Sequence, residues 1–291
     1  MIIKSICRLN AEIKKEIRQL EQFCSQVDGV QYETNLDGTL NFHKEMKYTF
    51  LCYENHKLIA FLHVFAPMRS EAEISGLTSP DCREKGYFTA LLLRTIEELN
   101  AFQIADVLFV SQSSYPNNQV IDHFGACYEF SEHVMSLERK NHMIQIPEQP
   151  LSLTYQRIEH MEQLIEVSVN SFHDSREEAR RLIEMALMSA NRQGYMAVFD
   201  DQIIGICFAR FEGSEAFLFG LGIQTEYQGK GFGGSFLNRI LSELFSGTVT
   251  KVKLEVESRN VHAMHLYTKT GFVSDNTVDY YRVPIKNLLG A

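Results

Sequence analysis

Two stretches of the sequence carry runs of apolar residues beside a short polar turn. The first is "LIAFLHVF" at 58–65, which follows the turn "YENHK", and the second is "IIGICFAR" at 203–210, which follows the turn "FDDQ". Alternating strands around an acidic or polar turn are typical of β-hairpins. After the hairpins the pattern predicts further strands at 72–78 and 216–223.

Each of these strands leads into a loop that contains glycine and then into a helix. The loops are "REKGYFT" at 83–89 and "QGKGFGG" at 228–234. Apolar residues at i, i+3 and i+4 predict the helices that follow. In the two series, the helix and the next strand are expected at 89–100 and 106–110, and at 234–245 and 252–256. A short helix with a downstream glycine closes each series, in "QVIDHFGACYEF" and in "AMHLYTKTGF".

The two series have the same order and a nearly constant offset. Gly231 lies 145 residues after Gly86, and Gly271 lies 146 residues after Gly125. The sequence therefore predicts two copies of one α+β domain, with an α/β/α-like arrangement of sheet and helices. Two prolines in "QIPEQPLS" at 145–152 mark the join. We expect domains at 1–144 and 152–291, with a linker at 145–151.

Composition serves mainly to exclude classes of protein. A net charge of −9 over 291 residues argues against a general nucleic-acid or anionic-membrane binder. The six cysteines are scattered, without a CxxC pair or metal-ligand spacing, which indicates free thiols in a reducing compartment. The N-terminus is too interrupted by charge for a signal peptide, and no apolar run approaches the ~20 residues of a membrane span. We expect a cytoplasmic protein that uses no metal.

The glycine loop of the second copy fits two kinds of phosphate site. Gly229, Gly231 and Gly234 satisfy G-x-G-x-x-G, and an acidic residue lies about 20 positions further on, as in dinucleotide-binding domains. Three observations argue against that interpretation. Five residues separate Ile223, the end of the strand, from the first glycine; only 57 residues follow Gly234; and the first copy keeps only Gly86. A Walker loop is excluded because Gly231, and not serine or threonine, follows the lysine.

The alternative pattern is Q/R-x-x-G-x-G/A at a strand–loop–helix junction, here Gln228–Gly233. Backbone N–H groups at a helix N-terminus bind anions, and glycine lets a diphosphate approach closely. Downstream, "NVHAMHLYTKTGF" supplies Asn260, Leu266-Tyr267 and Gly271-Phe272. With these two motifs, residues 152–284 resemble the GNAT superfamily of acetyltransferases, and residues 1–138 resemble it more weakly.

The resemblance implies two tandem GNAT domains, each with a mixed, mostly antiparallel central sheet flanked by helices, and acetyl-CoA as cosubstrate. It implies that the loop binds the pyrophosphate and that backbone groups of 221–223 bind the pantetheine and polarise the thioester. Asn260 would contact the coenzyme or simply cap its helix. The residues thus assigned to the coenzyme are Leu221, Gly222, Ile223, Gln228, Gly229, Lys230, Gly231, Phe232, Gly233, Gly234 and Asn260.

The same resemblance assigns the catalytic groups. Tyr267 occupies the tyrosine position that in many members of the family faces the coenzyme sulfur, which makes it the candidate acid; the alternative is a tyrosine that only packs in the core. Glu255, twelve residues earlier, is the candidate base, or else a half-buried strand glutamate that accepts hydrogen bonds. Glu257 shares its face of the strand by period 2 and is the fallback base.

The first copy lacks these groups. At the 146-residue offset Glu255 corresponds to Phe109 and Tyr267 to Ile121. We therefore expect one active and one degenerate domain, and an acetyl-CoA-dependent N-acetyltransferase that transfers acetyl directly to a primary amine. The competing hypothesis is a non-catalytic acyl-CoA-binding or sensing protein. The acceptor would be a small-molecule or peptide amine, selected around "VSVNSFHDSREEARRL" at 167–182; the sequence leaves its identity and the oligomeric state open.

Overall fold

The computed structural model describes residues 1–114, 119–143 and 149–289. The part before residue 143 forms, in order, β1 (Ile2–Ile6), α1 (Ala11–Asp28), β2 (Thr49–Glu54), β3 (Lys57–Phe65), β4 (Glu71–Thr78), α2 (Tyr87–Ala101), β5 (Asp106–Gln112), α3 (Gln119–His123) and β6 (Cys127–Glu138). From residue 149 onward it forms β7 (Ser152–Tyr155), α4 (Met161–Phe172), α5 (Arg176–Leu187), β8 (Arg192–Phe199), β9 (Gln202–Glu212), β10 (Glu215–Ile223), α6 (Phe232–Ser246), β11 (Lys251–Glu257), α7 (Val261–Thr270), β12 (Val273–Pro284) and α8 (Ile285–Leu288).

The chain divides into two compact units. Unit 1 comprises Met1–Ser131 with Thr277–Ala291, and unit 2 comprises Glu132–Asn276. In unit 1 the strand order is β1-β2-β3-β4-β5-β12, and in unit 2 it is β6-β11-β10-β9-β8-β7. Within each unit all neighbouring strands are antiparallel except one parallel pair, β4–β5 or β10–β11. The expected mixed, mostly antiparallel sheet flanked by helices is confirmed.

Both predicted hairpins form, and their turns have the same backbone conformation. Asn55 and His56 connect β2 to β3 with φ of 49° and 63°, and Asp200 and Asp201 connect β8 to β9 with φ of 47° and 58°. Two-residue turns with both residues left-handed match the twist of the flanking strands, and Asn and Asp tolerate this region better than most residues. Residues that lie 145 positions apart in the two copies therefore have nearly the same φ in these turns.

The glycine loops lead into helices of equal length. Helices α2 and α6 each have 15 residues and each follow a left-handed glycine, Gly86 with φ 79° and Gly231 with φ 85°. Both helices begin two residues before the positions expected from apolar spacing, because each starts directly after its left-handed glycine. One face of each helix is buried in the core of its unit, through residues such as Leu92 and Ile240.

The last strand of each sheet comes from the other sequence copy. Residues Glu132–Glu138 of β6 pair with β11 in unit 2, and Val278–Pro284 of β12 pair with β5 in unit 1. Met135 and Leu137 are buried in the core of unit 2, and Val283 is buried in that of unit 1. The compact units therefore differ from the division at 1–144 and 152–291 by an exchange of terminal strands. Residues 145–148 of the expected linker lie outside the described residues.

The two parallel strands in each unit separate after four paired residues. In unit 2 the register runs from Glu215–Lys251 to Leu218–Leu254, and in unit 1 from Glu71–Asp106 to Ile74–Phe109. Beyond these points the paired strands part, and backbone groups between them lack a strand partner. This opening lies next to the glycine loop in sequence, because β10 continues to Ile223 and the loop begins directly after it.

No helix in the described ranges is long and apolar enough to cross a membrane.

Candidate active site

The loop before α6 has the conformation of an anion-binding backbone. Residues Thr225–Tyr227 form a single 3₁₀ turn, after which Gly229 and Gly231 take φ of 70° and 85°. Gln228 anchors the loop to the preceding strand, since its Nε2 donates to the carbonyl oxygen of Ile223 at 2.8 Å. Left-handed glycines alternating with extended or helical residues turn successive N–H groups toward one side, which is how such loops bind phosphates.

The start of helix α6 is free of side chains. No side chain caps its N-terminus. An added Cβ would meet nothing within 4 Å at Gly229, and only ordinary contacts with Leu266 at 3.8 Å from Gly233 and 3.6 Å from Gly234. Packing within the protein therefore does not require glycine at these positions, whereas a ligand that approaches the helix N-terminus does. These residues fit the diphosphate of a coenzyme.

The side chains of the same loop point elsewhere. Phe232 is buried and packs against Phe199 and Tyr227, with ring centroids 4.9 Å and 5.4 Å apart. It can offer a ligand only its backbone. The side chain of Lys230 is exposed, which leaves its ammonium group available to an anion at the surface. Of the expected coenzyme residues in the loop, Lys230 is therefore the one whose side chain is placed to contact an anion, and Phe232 could do so only through its backbone.

A residue that sequence reasoning missed holds this loop from outside. The amide nitrogen Nε2 of Gln149 donates to the carbonyl oxygen of Lys230 at 2.7 Å, and its backbone N–H donates to Oγ of Ser235 at 2.9 Å. Gln149 belongs to the segment expected to be a linker. No signal in the sequence connects a linker residue with a loop 81 positions away.

The strand β10 is irregular where the expected pantetheine residues lie. Its register with β9 shifts between Phe219 and Gly222, and Gly220 has φ 59°. The extra residue of this bulge takes the left-handed conformation at Gly220, which glycine adopts without strain. Since the pairing with β11 has already ended, the backbone of Leu221, Gly222 and Ile223 has no strand on that side within the described chain.

The end of helix α4 packs against Gly222. A Cβ at this glycine would lie 2.8 Å from Cβ of Ser171 and 2.6 Å from Cζ of Phe172, so no side chain fits. In addition, the backbone N–H of Thr225 donates to Oδ1 of Asn170 at 2.6 Å. The region at 167–182 expected to select the acceptor therefore packs directly against the irregular part of β10.

Glu255 is the first residue of β11 beyond the last parallel pair. Its side chain reaches water, yet the surrounding protein desolvates the carboxylate. That desolvation, with a smaller repulsion from Glu132 and an opposing attraction from Arg210, raises the pKa of Glu255 to about 7. Glu255 is thus accessible to solvent, while the protein around it disfavours its ionised form. A carboxyl with a pKa near 7 can accept a proton from a substrate at neutral pH.

Glu257, the fallback base, lies two residues further along the same face. Its Oε1 accepts from Nε of Arg259 at 2.5 Å. The carboxylate of Glu257 is therefore already held in an ion pair, which leaves Glu255 as the first candidate for the base.

Tyr267 lies on α7 and is buried beneath the glycine loop's helix, in the core of unit 2. Its ring lies 5.9 Å from that of Phe272. Burial raises the pKa of its hydroxyl, which therefore stays protonated throughout the physiological range. The hydroxyl makes no hydrogen bond with any residue that the structure describes.

Asn260 caps helix α7. Its Oδ1 accepts the backbone N–H of Ala263 at 3.1 Å. A capping role explains the residue without any ligand; contact with the coenzyme stays a prediction. The other polar residues of this helix, His262, His265 and Lys269, are exposed, as expected of a solvated face.

Comparisons with known proteins place these features in a family. Residues 157–272 match the model of the acetyltransferase (GNAT) family. A [ribosomal protein bS18]-alanine N-acetyltransferase from Haemophilus influenzae is 38% identical over 89 residues, 29% of this chain and 58% of that protein, so the match spans little more than half of the relative's length.

Solved structures extend the likeness to the whole chain. A GCN5-related N-acetyltransferase from Sphaerobacter thermophilus has a TM-score of 0.76 at 16% identity, covering 98% of this chain and 95% of that one. A tandem GNAT protein from the clavulanic acid biosynthesis pathway has a TM-score of 0.71 at 13% identity, covering 98% and 99%. At such identities the likeness shows the fold. Residues 157–272 therefore match the model of the GNAT acetyltransferase family, within a chain whose fold is similar to that of a tandem GNAT protein.

Proposed function

We propose that unit 2 is an acetyl-CoA-dependent N-acetyltransferase that transfers acetyl directly from the thioester to a primary amine. The observation that carries the proposal is Glu255, a water-accessible carboxyl with a pKa raised to about 7, at the point where β10 and β11 part. A side-chain-free loop for a diphosphate lies at the end of the same strand β10.

Glu255 would remove the proton that blocks the acceptor. A primary amine with a pKa of ~10.4 is almost wholly protonated at pH 7 and cannot attack a carbonyl carbon until it loses a proton. The carboxylate form of Glu255 takes that proton, directly or through water. Because only the ionised form accepts, activity should be present above pH ~7 and fall as the pH drops through the pKa of Glu255.

Backbone groups of β10 and the hydroxyl of Tyr267 would handle the charge that then develops. The new C–N bond forms as the C–S bond breaks, and the electron pair leaves on sulfur. Backbone N–H groups near Leu221–Ile223, on the side where β11 no longer pairs, would stabilise the carbonyl oxygen as it gains negative charge. Tyr267, which burial keeps protonated, would donate its proton to the departing thiolate.

The surroundings of Glu255 and one relative together suggest which acceptors to test. An amine must reach Glu255 past the end of α4, where Ser171 and Phe172 cover Gly222. The Haemophilus relative is named for an alanine of a ribosomal protein. Peptides that begin with alanine are therefore the first acceptors to test, followed by polyamines, aminoglycosides and other small amines.

The proposal is tested by incubating the full chain with acetyl-CoA and each amine of such a panel and detecting acetylated product by mass spectrometry. Product should form with at least one amine and be lost in Glu255→Gln. If no amine of the panel is acetylated while coenzyme A still binds, the protein is a binding or sensing member of the fold and the proposed catalysis is wrong.

A further inference from the structure

The strand exchange brings a residue of the first sequence copy into the catalytic unit. Strand β6 starts in unit 1 at Cys127, and from Glu132 onward it belongs to unit 2, where it pairs antiparallel with β11. The strand that borders Glu255 on one side is therefore supplied by residues that precede the linker. On its other side Glu255 faces the opening between β10 and β11.

The register fixes which side chains share the face of Glu255. Glu255 pairs with Val134, and Glu257 pairs with Glu132. Directly opposite residues of an antiparallel pair point to the same side, and so do residues two apart along one strand. Glu132 is therefore diagonal to Glu255 on the same face, at the ~7–8 Å typical of such neighbours.

This face carries few other charges near Glu255. On β11, Lys253 is paired with Glu215 at 2.8 Å, and Glu257 is paired with Arg259. From β9, Arg210 acts on Glu255 with the opposite sign to Glu132, while its guanidinium lies 5.2 Å from the ring of Phe217 on β10.

Helix α4, which packs on β9 and β10, ends with the uncharged residues Ser171 and Phe172 against Gly222; His173 and Asp174 follow in the loop. Among the charges acting on Glu255, Glu132 has the largest effect.

We propose that Glu132 is a positioning residue of the catalytic site: its negative charge, carried into unit 2 by the exchanged strand, makes Glu255 a stronger base. The catalytic consequence rests on the proposed function, whereas the coupling between the two carboxylates does not. By this inference the N-terminal copy, which lacks both catalytic groups, still takes part in the chemistry through one residue.

The coupling is measured without any acceptor. The full-length protein is labelled with ¹³C at the glutamate side-chain carboxyl carbons, and the signal of Glu255 is identified by its loss in Glu255→Gln. Titrated by NMR, Glu255 should have a pKa that is lower by about half a unit to one unit in Glu132→Gln than in the unchanged protein, as expected for removal of one charge at this separation. An unchanged pKa overturns the proposal.

Glu138→Gln is the matched control. Glu138 lies at the other end of the same paired segment, opposite Lys251, and carries the same charge. Its replacement should leave the titration of Glu255 unchanged; an equal shift would mean that net charge, and not the place of Glu132, is responsible. If Glu132→Gln does not fold, Glu132→Thr removes the same charge with a residue that favours strands.

The pH profile of kcat/KM separates the two proposals. Its acidic limb should move to lower pH in Glu132→Gln by the same amount as the titration of Glu255. If the titration moves and the limb does not, Glu132 acts on Glu255 but Glu255 is not the base, and the proposed function is wrong in that point. If neither moves, the role of Glu132 is rejected.

Discussion

Units 1 and 2 have similar backbone folds but carry different side chains at equivalent positions. Where unit 2 has the water-accessible Glu255, unit 1 has Phe109, which is buried and stacks on Phe124 with centroids 6.1 Å apart. Where unit 2 has Tyr267, unit 1 has Ile121, also buried in its core. At the two positions where unit 2 has titratable side chains, unit 1 therefore has buried apolar ones.

The glycine loops of the two units also have similar backbones and different side chains. Gly229 of unit 2 corresponds to Glu84 of unit 1, and both are left-handed, with φ of 70° and 60°. The anchoring side chain is conserved in position: Nε of Arg83 donates to the carbonyl of Thr78, as Gln228 does to that of Ile223. The guanidinium of Arg83, however, is engaged by Asp28 through two bonds of 2.7 Å. Both units thus keep the backbone shape of the loop, whereas in unit 1 the anchoring side chain is also tied to Asp28.

The largest expected effect is the loss of catalysis in Glu255→Gln. The amide cannot take a proton, so kcat/KM above pH 7 should fall by about 10²–10⁴-fold, the usual contribution of a general base. The rise of activity with pH through ~7 should disappear in the same variant. Steady-state kinetics from pH 6 to 9 measure both.

Glu257→Gln is the matched variant for this prediction. It removes a carboxylate of the same strand face that is already paired with Arg259. We expect a change of less than about fivefold, since a paired carboxylate contributes little to proton transfer. A larger loss in Glu257→Gln than in Glu255→Gln would transfer the role of base to Glu257.

Next in size is a difference in stability at equivalent positions. Phe109→Ala should destabilise unit 1 by about 3–5 kcal/mol, because it leaves a cavity beneath Phe124. Glu255→Ala should not destabilise unit 2 at neutral pH, because the folded state disfavours the ionised carboxylate whose pKa desolvation raises. Hydrogen exchange followed by mass spectrometry reads the two units separately. Equal effects would show that both positions serve packing.

A smaller effect is expected from Tyr267→Phe. Loss of the hydroxyl should lower kcat by about 10–100-fold, because the leaving thiolate loses its proton donor. Tyr195→Phe is the control: Tyr195 is another buried tyrosine of unit 2, on β8, and burial likewise raises the pKa of its hydroxyl. Its kcat should stay within about twofold. If Tyr267→Phe retains full kcat from pH 6 to 9, Tyr267 only packs in the core.

Much of the fold could be predicted because both copies repeat the same local signals. Polar turns, apolar alternation and the helical spacing of α2 and α6 are signals carried by short stretches of sequence. The element boundaries predicted from them agree with the structure to within two residues. The glycine loop could be predicted for the same reason, because positive φ and close approach of a ligand to the backbone favour glycine.

The exchange of β6 and β12 could not be predicted. Both copies end in a strand that suits either sheet, since Leu137 and Val283 are buried equally well in the cores they join. Local pattern cannot choose between two equivalent partners. The place of Glu132 depends on that tertiary pairing, and the role of Gln149 depends on contact with a loop 81 positions away, which is why sequence reasoning missed both. The ion pair of Glu257 could be suspected from the nearby Arg259, but its geometry could not.

The central claim is that one of two similar loops binds coenzyme A, and a calorimetric titration tests it with a substitution taken from the protein itself. Gly229→Glu gives unit 2 the residue that unit 1 carries at the same backbone conformation, so the fold should tolerate it. Gly229→Asn, which also accepts left-handed φ but adds no charge, is its control. The unchanged chain should bind one coenzyme A, Gly229→Glu should bind it about 100-fold more weakly, and Gly229→Asn should be affected far less. Two bound molecules per chain, or full affinity in Gly229→Glu, would contradict the account.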